Sequence, residues 1–205
     1  MTKIKLCGLS RECDIEAANE LMPEYIGFVF AHKSRRYVSK EQAAGLRDKL
    51  RPEITPVGVF VGEEPETVAR LLNDGIIDMP QLHGGESEEY ISRLRELTDK
   101  PVIKAFRIDT EQDITAANQS CADYILLDSG NGGTGTSFDW SLLKKVTRPY
   151  FLAGGLTPDN VHEAIACFHP YALDISSGIE TNGCKDREKM AAFVQRVRQT
   201  PFNEA

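Results

Sequence analysis

Two apolar segments near the end of the chain each run into a turn rich in glycine or serine. They are residues 151–158, FLAGGLTP, and residues 172–180, ALDISSGIE. Each has the pattern of a buried parallel strand that opens into a turn with uncovered backbone N–H groups. Two such turns side by side would form a cradle for a phosphate group. The alternative for either turn alone is a tight strand-to-helix connection with no ligand.

The residues after the first turn predict a helix that begins beside this cradle. Thr157 has the residue type of an N-cap, and Pro158 suits the first helical position. A helix N-terminus carries a partial positive charge, so an anion would be stabilised there.

A thiol and two carboxyl groups stand at the predicted ends of other strands, namely Cys7, Asp128 and Asp174. A carboxyl and a thiol that approach from opposite sides are suited to acid and base work on one small substrate. Alternation along a strand places Lys5 on the same side as Cys7, where its ammonium would favour the thiolate. The alternatives are a buried apolar role for Cys7 and a turn-forming role for Asp128, while Asp174 competes for the acid role or binds a hydroxyl.

Other polar candidates lie in the predicted loops. Arg36, in preference to Arg35, could grip a carboxylate with two hydrogen bonds, although a loop arginine is often only a solvated charge. His83 lies in a glycine-rich turn without an evident partner, which favours a structural role. The glycine-rich run 130–135 lacks the order of a nucleotide fingerprint and is interpreted as a mobile flap or a third phosphate loop.

Strand-like runs alternate with amphipathic segments along the whole chain, at roughly 25 residues per unit, as expected for a (β/α)8 barrel. We predict an α/β fold with one (β/α)8 TIM barrel domain over residues 1–205, whose last residues, from about 200, are frayed. In such a barrel the strand ends meet at one face, which would bring the candidate residues together. A doubly wound open sheet is the alternative because it shares the same local patterns.

The composition excludes several classes of function. The chain has 205 residues, a net charge of −7 and no cluster of basic residues, so we predict no nucleic-acid partner. Its five cysteines are scattered and form no C-x-x-C pair, which predicts neither disulfides nor a metal site. No apolar stretch approaches the roughly 18 residues of a membrane span. We therefore predict a cytoplasmic protein that acts on a small molecule and makes no contact with a membrane.

Six motifs together resemble the phosphoribosylanthranilate isomerases of tryptophan biosynthesis, in the order and spacing of that family. They cover nearly the whole chain and read KLCGLS at 5–10, SRRYV at 34–38, QLHGGE at 81–86, LDS at 127–129 followed by GGTG at 132–135, LAGGLTPDNV at 152–161, and DISSGIE at 174–180.

The resemblance implies a barrel enzyme without metal or organic cofactor that catalyses an Amadori rearrangement. Its substrate would be N-(5-phosphoribosyl)anthranilate and its product 1-(2-carboxyphenylamino)-1-deoxyribulose 5-phosphate. In this interpretation Cys7 is the general base, Asp128 is the general acid and Arg36 holds the anthranilate carboxylate. The remaining predicted substrate-binding residues are His83, Gly133, Asp174, Gly154, Gly155, Ser176, Ser177 and Gly178. The last five of them would supply backbone amides to the phosphate.

Two other functions remain open from the sequence. One is another phosphosugar isomerase or synthase with a TIM barrel, although such relatives depend on Lys and Glu or on paired Asp residues. The other is a barrel that binds a phosphate ligand without reacting. The resemblance also implies a monomer rather than a homodimer.

Overall fold

The structure of the chain is a computed structural model that describes residues 1–128 and 140–200. The predicted site residue Gly133, the rest of the glycine-rich run and the last five residues lie outside the described residues. Eight strands form the barrel: β1 Lys3–Cys7, β2 Tyr25–Val29, β3 Thr55–Phe60, β4 Met79–Leu82, β5 Ile103–Arg107, β6 Tyr124–Asp128, β7 Tyr150–Ala153 and β8 Ala172–Ile175.

Helices follow most of the strands and cover the outside of the barrel. They are α1 Glu12–Leu21, α2 Lys40–Arg47, α3 Pro65–Asn73, α4 Glu88–Leu97, α5 Glu111–Gln119, α6 Val161–Phe168 and α7 Arg187–Gln199, and a 3-10 helix spans Trp140–Lys145 before β7.

The strands are buried on both faces, so alternate residues fill two separate apolar layers. Outward-facing residues such as Ile4, Leu6 and Ile26 pack against the helices in the larger cluster. Inward-facing residues make a second cluster inside the barrel, which includes Tyr25, Val57, Met79, Ile103, Leu126 and Phe151. Nearer the carboxyl ends of the strands, a third small cluster contains Cys7, Val29 and Val59, and polar side chains such as Asp174 line the same cavity.

All eight strands are parallel to their neighbours, and the sheet closes on itself. β1 pairs with β2 on one side and with β8 on the other, with Lys5 opposite Asp174 across the closing seam. The predicted (β/α)8 barrel is therefore confirmed. A doubly wound sheet is excluded because β1 and β8 would then be unpaired with each other.

The predicted helix start at Thr157 and Pro158 is wrong. Helix α6 begins at Val161, with Asn160 at its N-cap. The Asn160 side chain accepts a hydrogen bond from the Thr157 backbone at 2.9 Å and donates one to the Gly155 carbonyl at 2.8 Å. Residues 158–160 form a turn, and the helix begins three residues later than predicted. The side-chain hydrogen bonds of Asn160 thus compete here with helix formation.

Two further local features differ from the sequence pattern. Ser39 and Gln42 have the spacing of a capping box, which predicts that both side chains cap helix α2. Ser39 does accept from the Gln42 backbone at 3.2 Å, but the Gln42 side chain donates to the Ser10 carbonyl instead. An antiparallel hairpin, β9 Glu180–Thr181 and β10 Cys184–Lys185, follows β8 and was not predicted. In the described part of the chain, no helix has both the length and the apolar character needed to cross a membrane.

Candidate active site

A cavity of about 340 Å³ opens at the carboxyl ends of the barrel strands. Every predicted site residue that the structure describes lines it, whether it comes from a strand or from the loop that follows. These residues are Cys7, Arg36, His83, Asp128, Gly154, Gly155, Asp174, Ser176, Ser177 and Gly178. Strand ends that are far apart in sequence thus converge on one cavity, as the barrel geometry requires.

Cys7 lies at the end of β1 with a buried side chain that has 7% of its surface exposed. Its neighbour across the β1–β2 ladder is Gly27, and a Cβ atom on Gly27 would lie 2.6 Å from the Cys7 sulfur. Only glycine at this position leaves room for the thiol. The strand pairing therefore sets where the thiol sits in the cavity.

The fully buried ammonium of Lys5 lies between Asp174 and Cys7. It donates to both carboxylate oxygens of Asp174 at 3.0 Å. Burial disfavours the Lys5 ammonium, but the charge of Asp174 and contacts with Asp174 and Cys7 outweigh that effect, so the pKa of Lys5 is raised. Lys5 is therefore charged, and Asp174 serves as its counterion.

The pKa of the Cys7 thiol is raised above its ordinary value, chiefly because burial disfavours the thiolate. Lys5 and Lys185 act in the opposite direction, and Asp174 adds to the rise. The predicted effect of the Lys5 ammonium is thus present, but it does not outweigh burial. The thiol remains the main form at neutral pH, and the thiolate derived from it is a strong base.

Asp128 ends β6 and contacts His83, which follows β4. The His83 Nε2 atom lies 3.2 Å from Asp128 Oδ2, and its Nδ1 atom lies 2.8 Å from the Gln81 side-chain nitrogen. The expectation that His83 has no partner is therefore wrong. The glycine-rich turn alone does not show these contacts. Gln81 lies two residues earlier on the same side of β4, and Asp128 comes from a strand 45 residues further along the chain.

Arg36 is held by Glu180 in a bidentate ion pair. Its Nε atom lies 2.6 Å from Glu180 Oε1 and its Nη2 atom lies 2.8 Å from Oε2. Lys185, from the other strand of the β9–β10 hairpin, also contacts Glu180 at 2.6 Å. Glu180 thus holds one edge of the Arg36 guanidinium, whereas Arg35 is exposed and does not line the cavity.

The two glycine-rich turns pack directly against each other. Gly154 and Gly155 both have positive φ angles, +85° and +63°, which favour glycine. Gly178, after β8, lies so close to the Leu156 carbonyl that a Cβ atom at this position would overlap with it. The two turns therefore form one continuous wall of backbone, which can present N–H groups to an anion.

Sequence reasoning did not identify the roles of Gln81, Glu180 and Lys185. Gln81 shares strand parity with His83, and an Asn-Gly dipeptide at 182–183 is typical of a hairpin, so both features had signals in the sequence.

Lys104 and Arg107, at the end of β5, form ion pairs with Glu86 and Asp109. Among the described residues, no cluster of His, Cys, Asp or Glu side chains could hold a metal ion.

Comparison with known proteins points to one family. The family model described as N-(5'-phosphoribosyl)anthranilate (PRA) isomerase matches residues 4–196. A relative from Endomicrobium trichonymphae, named N-(5'-phosphoribosyl)anthranilate isomerase, is 45% identical over 202 residues, which covers 97% of this chain and 99% of the relative.

Solved structures agree with the sequence matches. The phosphoribosyl anthranilate isomerase of Thermotoga maritima is 36% identical, with a TM-score of 0.88 over 97% of this chain and 99% of that one. A second structure shows such an isomerase in complex with reduced 1-(o-carboxyphenylamino)-1-deoxyribulose 5-phosphate. It is 35% identical, with a TM-score of 0.85 and the same two coverages.

Proposed function

The chain belongs to the N-(5'-phosphoribosyl)anthranilate isomerase family and is an isomerase of tryptophan biosynthesis, and from this premise we propose how its residues divide the reaction. Cys7 is the general base and Asp128 is the general acid. Arg36 binds the anthranilate carboxylate, and the turns after β7 and β8 bind the phosphate. The observation that carries this proposal is that one cavity contains all of these groups.

The reaction moves one proton to the substrate and removes another. Asp128 protonates the furanose ring oxygen, and the ring opens to a Schiff base between the sugar and anthranilate. Cys7 then removes the proton from C2′, which gives an enolamine that becomes the ketone of the product. Because acid and base act at different atoms of one sugar, they must approach it from different strands.

The ion pairs around the cavity support Asp128 rather than Asp174 as the acid. Both oxygens of Asp174 accept hydrogen bonds from the buried Lys5 ammonium, so this carboxylate is engaged as the counterion of Lys5. Asp128 has a side chain that is 26% exposed and contacts a histidine instead. Asp174 is therefore assigned to positioning Lys5 beside Cys7.

The phosphate is assigned to the backbone of Gly154, Gly155, Ser176, Ser177 and Gly178. The positive φ angles at Gly154 and Gly155 and the close approach at Gly178 support this assignment because they shape an uncovered backbone surface. Gly133 is assigned to substrate binding on the resemblance alone. His83, which contacts Asp128, is also assigned to substrate binding.

Turnover and binding of three proteins test the catalytic assignments. Wild type, Cys7→Ala and Asp128→Asn are mixed with N-(5-phosphoribosyl)anthranilate, and the loss of anthranilate fluorescence is followed. Each substitution should lower kcat by about 10²–10⁴-fold, the usual contribution of a general acid or base. Binding of the reduced product analogue should remain within a few-fold of wild type. A Cys7→Ala enzyme with the wild-type rate would refute the base assignment.

We also propose that the protein is a cytoplasmic monomer that forms one barrel domain over residues 1–205. In the described ranges, the exposed large apolar side chains are Met1, Val61 and Leu97, which are separate in sequence. Scattered apolar residues of this kind do not indicate an obligate interface. Sedimentation equilibrium over a range of protein concentrations tests the monomer, and a mass that doubles would contradict it.

A further inference from the structure

Gln81 carries a buried side-chain amide that contacts His83, the neighbour of the proposed acid Asp128. No step of the reaction described above uses this amide. It lies on β4, two residues before His83, so both side chains point into the barrel. Only 1% of its surface is exposed. Its side-chain nitrogen lies 2.8 Å from His83 Nδ1, while its side-chain oxygen has no hydrogen-bond partner among the described residues.

The chemistry of the amide decides which nitrogen of His83 carries the proton. An amide NH₂ group can only donate, so His83 Nδ1 must accept. The proton of the neutral imidazole is then on Nε2, which points at Asp128 Oδ2 from 3.2 Å. In the opposite orientation the amide oxygen would accept from Nδ1–H and both amide N–H groups would be without a partner among the described residues, whereas the observed orientation pairs one of them. Unpaired buried donors are rarer and costlier than an unpaired carbonyl.

We propose that Gln81 is a positioning residue for the acid step, which it controls by fixing the Nε2–H tautomer of His83. The proposal rests on the assignment of Asp128 as the acid. With this tautomer, His83 donates to Oδ2, so the proton that Asp128 delivers is directed to Oδ1. When the proton has left, the carboxylate keeps the Nε2–H donor, which stabilises the charge that develops during ring opening.

The charged side chains that share a small cavity with His83 are Asp128 from β6 and Arg107 from β5. The Lys104–Glu86 ion pair is tied to the residue after His83, because Lys104 also donates to the Gly84 carbonyl at 2.7 Å.

Two substitutions separate the tautomer from simple packing. Gln81→Glu places an acceptor opposite Nδ1, which demands a proton there. Gln81→Met keeps similar volume and removes both hydrogen-bonding groups. Both variants should lower kcat by about tenfold or more, as expected when a general acid is misaligned, while KM stays within about twofold.

The tautomer itself is read by NMR of protein labelled with ¹⁵N-histidine. The chain has four histidines, so the His83 signal is assigned by its loss in His83→Asn. Wild type should show a proton on Nε2, and Gln81→Glu should show one on Nδ1. An Nδ1–H tautomer in wild type would overturn the proposal, even if neither variant folded.

A double-mutant cycle distinguishes this proposal from the assignment on which it depends. If Gln81 acts through Asp128, then Gln81→Glu should lower kcat much less in an Asp128→Asn background than in wild type. An equal loss in both backgrounds would overturn the role of Gln81 while the acid assignment stands. Wild-type turnover by Asp128→Asn alone would overturn the acid assignment first.

Discussion

Cys7 combines two opposing influences on one sulfur atom. Burial raises the pKa of the thiol, whereas the ammonium groups of Lys5 and Lys185 lower it, and burial is the larger effect. A base of high pKa removes a carbon-bound proton more readily, but a smaller fraction of it is ionised at neutral pH. At neutral pH a smaller fraction of Cys7 is therefore ionised, but the thiolate that does form is a stronger base.

The raised pKa predicts that the reactivity of Cys7 towards alkylation increases with pH. The thiolate becomes more abundant as pH rises towards the pKa of Cys7, so the rate of alkylation, followed by peptide mass spectrometry, should increase steadily between about pH 6.5 and 9. The four exposed cysteines provide internal references. An alkylation rate of Cys7 that stays constant across this range would contradict the assignment of an unionised Cys7.

Single residues could be predicted from the sequence where their position in a strand determined their environment. Cys7 and Asp128 were identified because each ends an apolar run. Gln81 could not be identified in this way because its role depends on the contact between His83 and Asp128, which come from strands 45 residues apart and meet only in the folded barrel. Its residue type and parity indicate an inward amide and nothing more.

At the scale of elements, the β9–β10 hairpin positions Arg36 through Glu180. Glu180→Gln removes the carboxylate that holds two nitrogens of Arg36 and also contacts Lys185. We expect KM to rise by about tenfold, equivalent to about 1.4 kcal/mol, because Arg36 is no longer held for the substrate carboxylate. kcat should change by less than about threefold.

Glu66→Gln is a matched control for this prediction. Glu66 also pairs with an arginine, Arg93, but both side chains are well exposed and far along the chain from the hairpin. Such an exposed pair contributes little to stability, and it is remote from the cavity, so its loss should leave KM unchanged. Steady-state kinetics and thermal unfolding of both variants provide the comparison, and equal KM values for Glu180→Gln and wild type would contradict the role of Glu180.

The contact between the turns after β7 and β8 predicts a specific effect of one methyl group. Gly178→Ala forces the two turns apart because its Cβ would overlap with the Leu156 carbonyl. We expect a loss of stability of about 1–3 kcal/mol, typical of overpacking, and weaker binding of the reduced product analogue. Gly45→Ala, in helix α2 with open space around it, should instead stabilise the protein by roughly 0.5–1 kcal/mol. Chemical denaturation and titration calorimetry measure both effects.

Elements were predictable where local residues decide them, as at the Ser87 cap of α4 and the Asp186 cap of α7. The start of α6 was not predictable in this way, because Thr157 and Pro158 also have the residue types of a helix start. Asn160 instead forms hydrogen bonds with Thr157 and Gly155 and becomes the N-cap. When two local motifs are compatible with one segment, residue types alone do not show which of them forms.

For the whole molecule, the ion pair between Lys5 and Asp174 joins the first strand to the last. Asp174→Asn would leave the buried Lys5 ammonium without its counterion, which should destabilise the protein by roughly 3–5 kcal/mol. The double variant Lys5→Met with Asp174→Leu removes both charges and should recover much of that loss. Urea denaturation at pH 7 measures the three proteins, and an unchanged midpoint for Asp174→Asn would contradict this role.

Alternation of strands and helices was sufficient to predict an α/β fold but not its closure. A barrel and an open doubly wound sheet have the same local periodicity, and they differ here in the pairing of β1 with β8. Only the resemblance of six motifs to a barrel family favoured closure strongly. Long-range pairing is the part of a fold that residue patterns encode least.

The seam between β1 and β8 has a consequence for synthesis of the protein. Lys5 and Asp174 are 169 residues apart, so at about 5–20 residues per second a ribosome needs roughly 10–30 s between them. Throughout that interval the nascent first strand has one open edge and a lysine whose counterion does not yet exist. Native burial of that lysine must therefore wait until Asp174 has been translated, which makes closure of the barrel a late step in the folding of this enzyme.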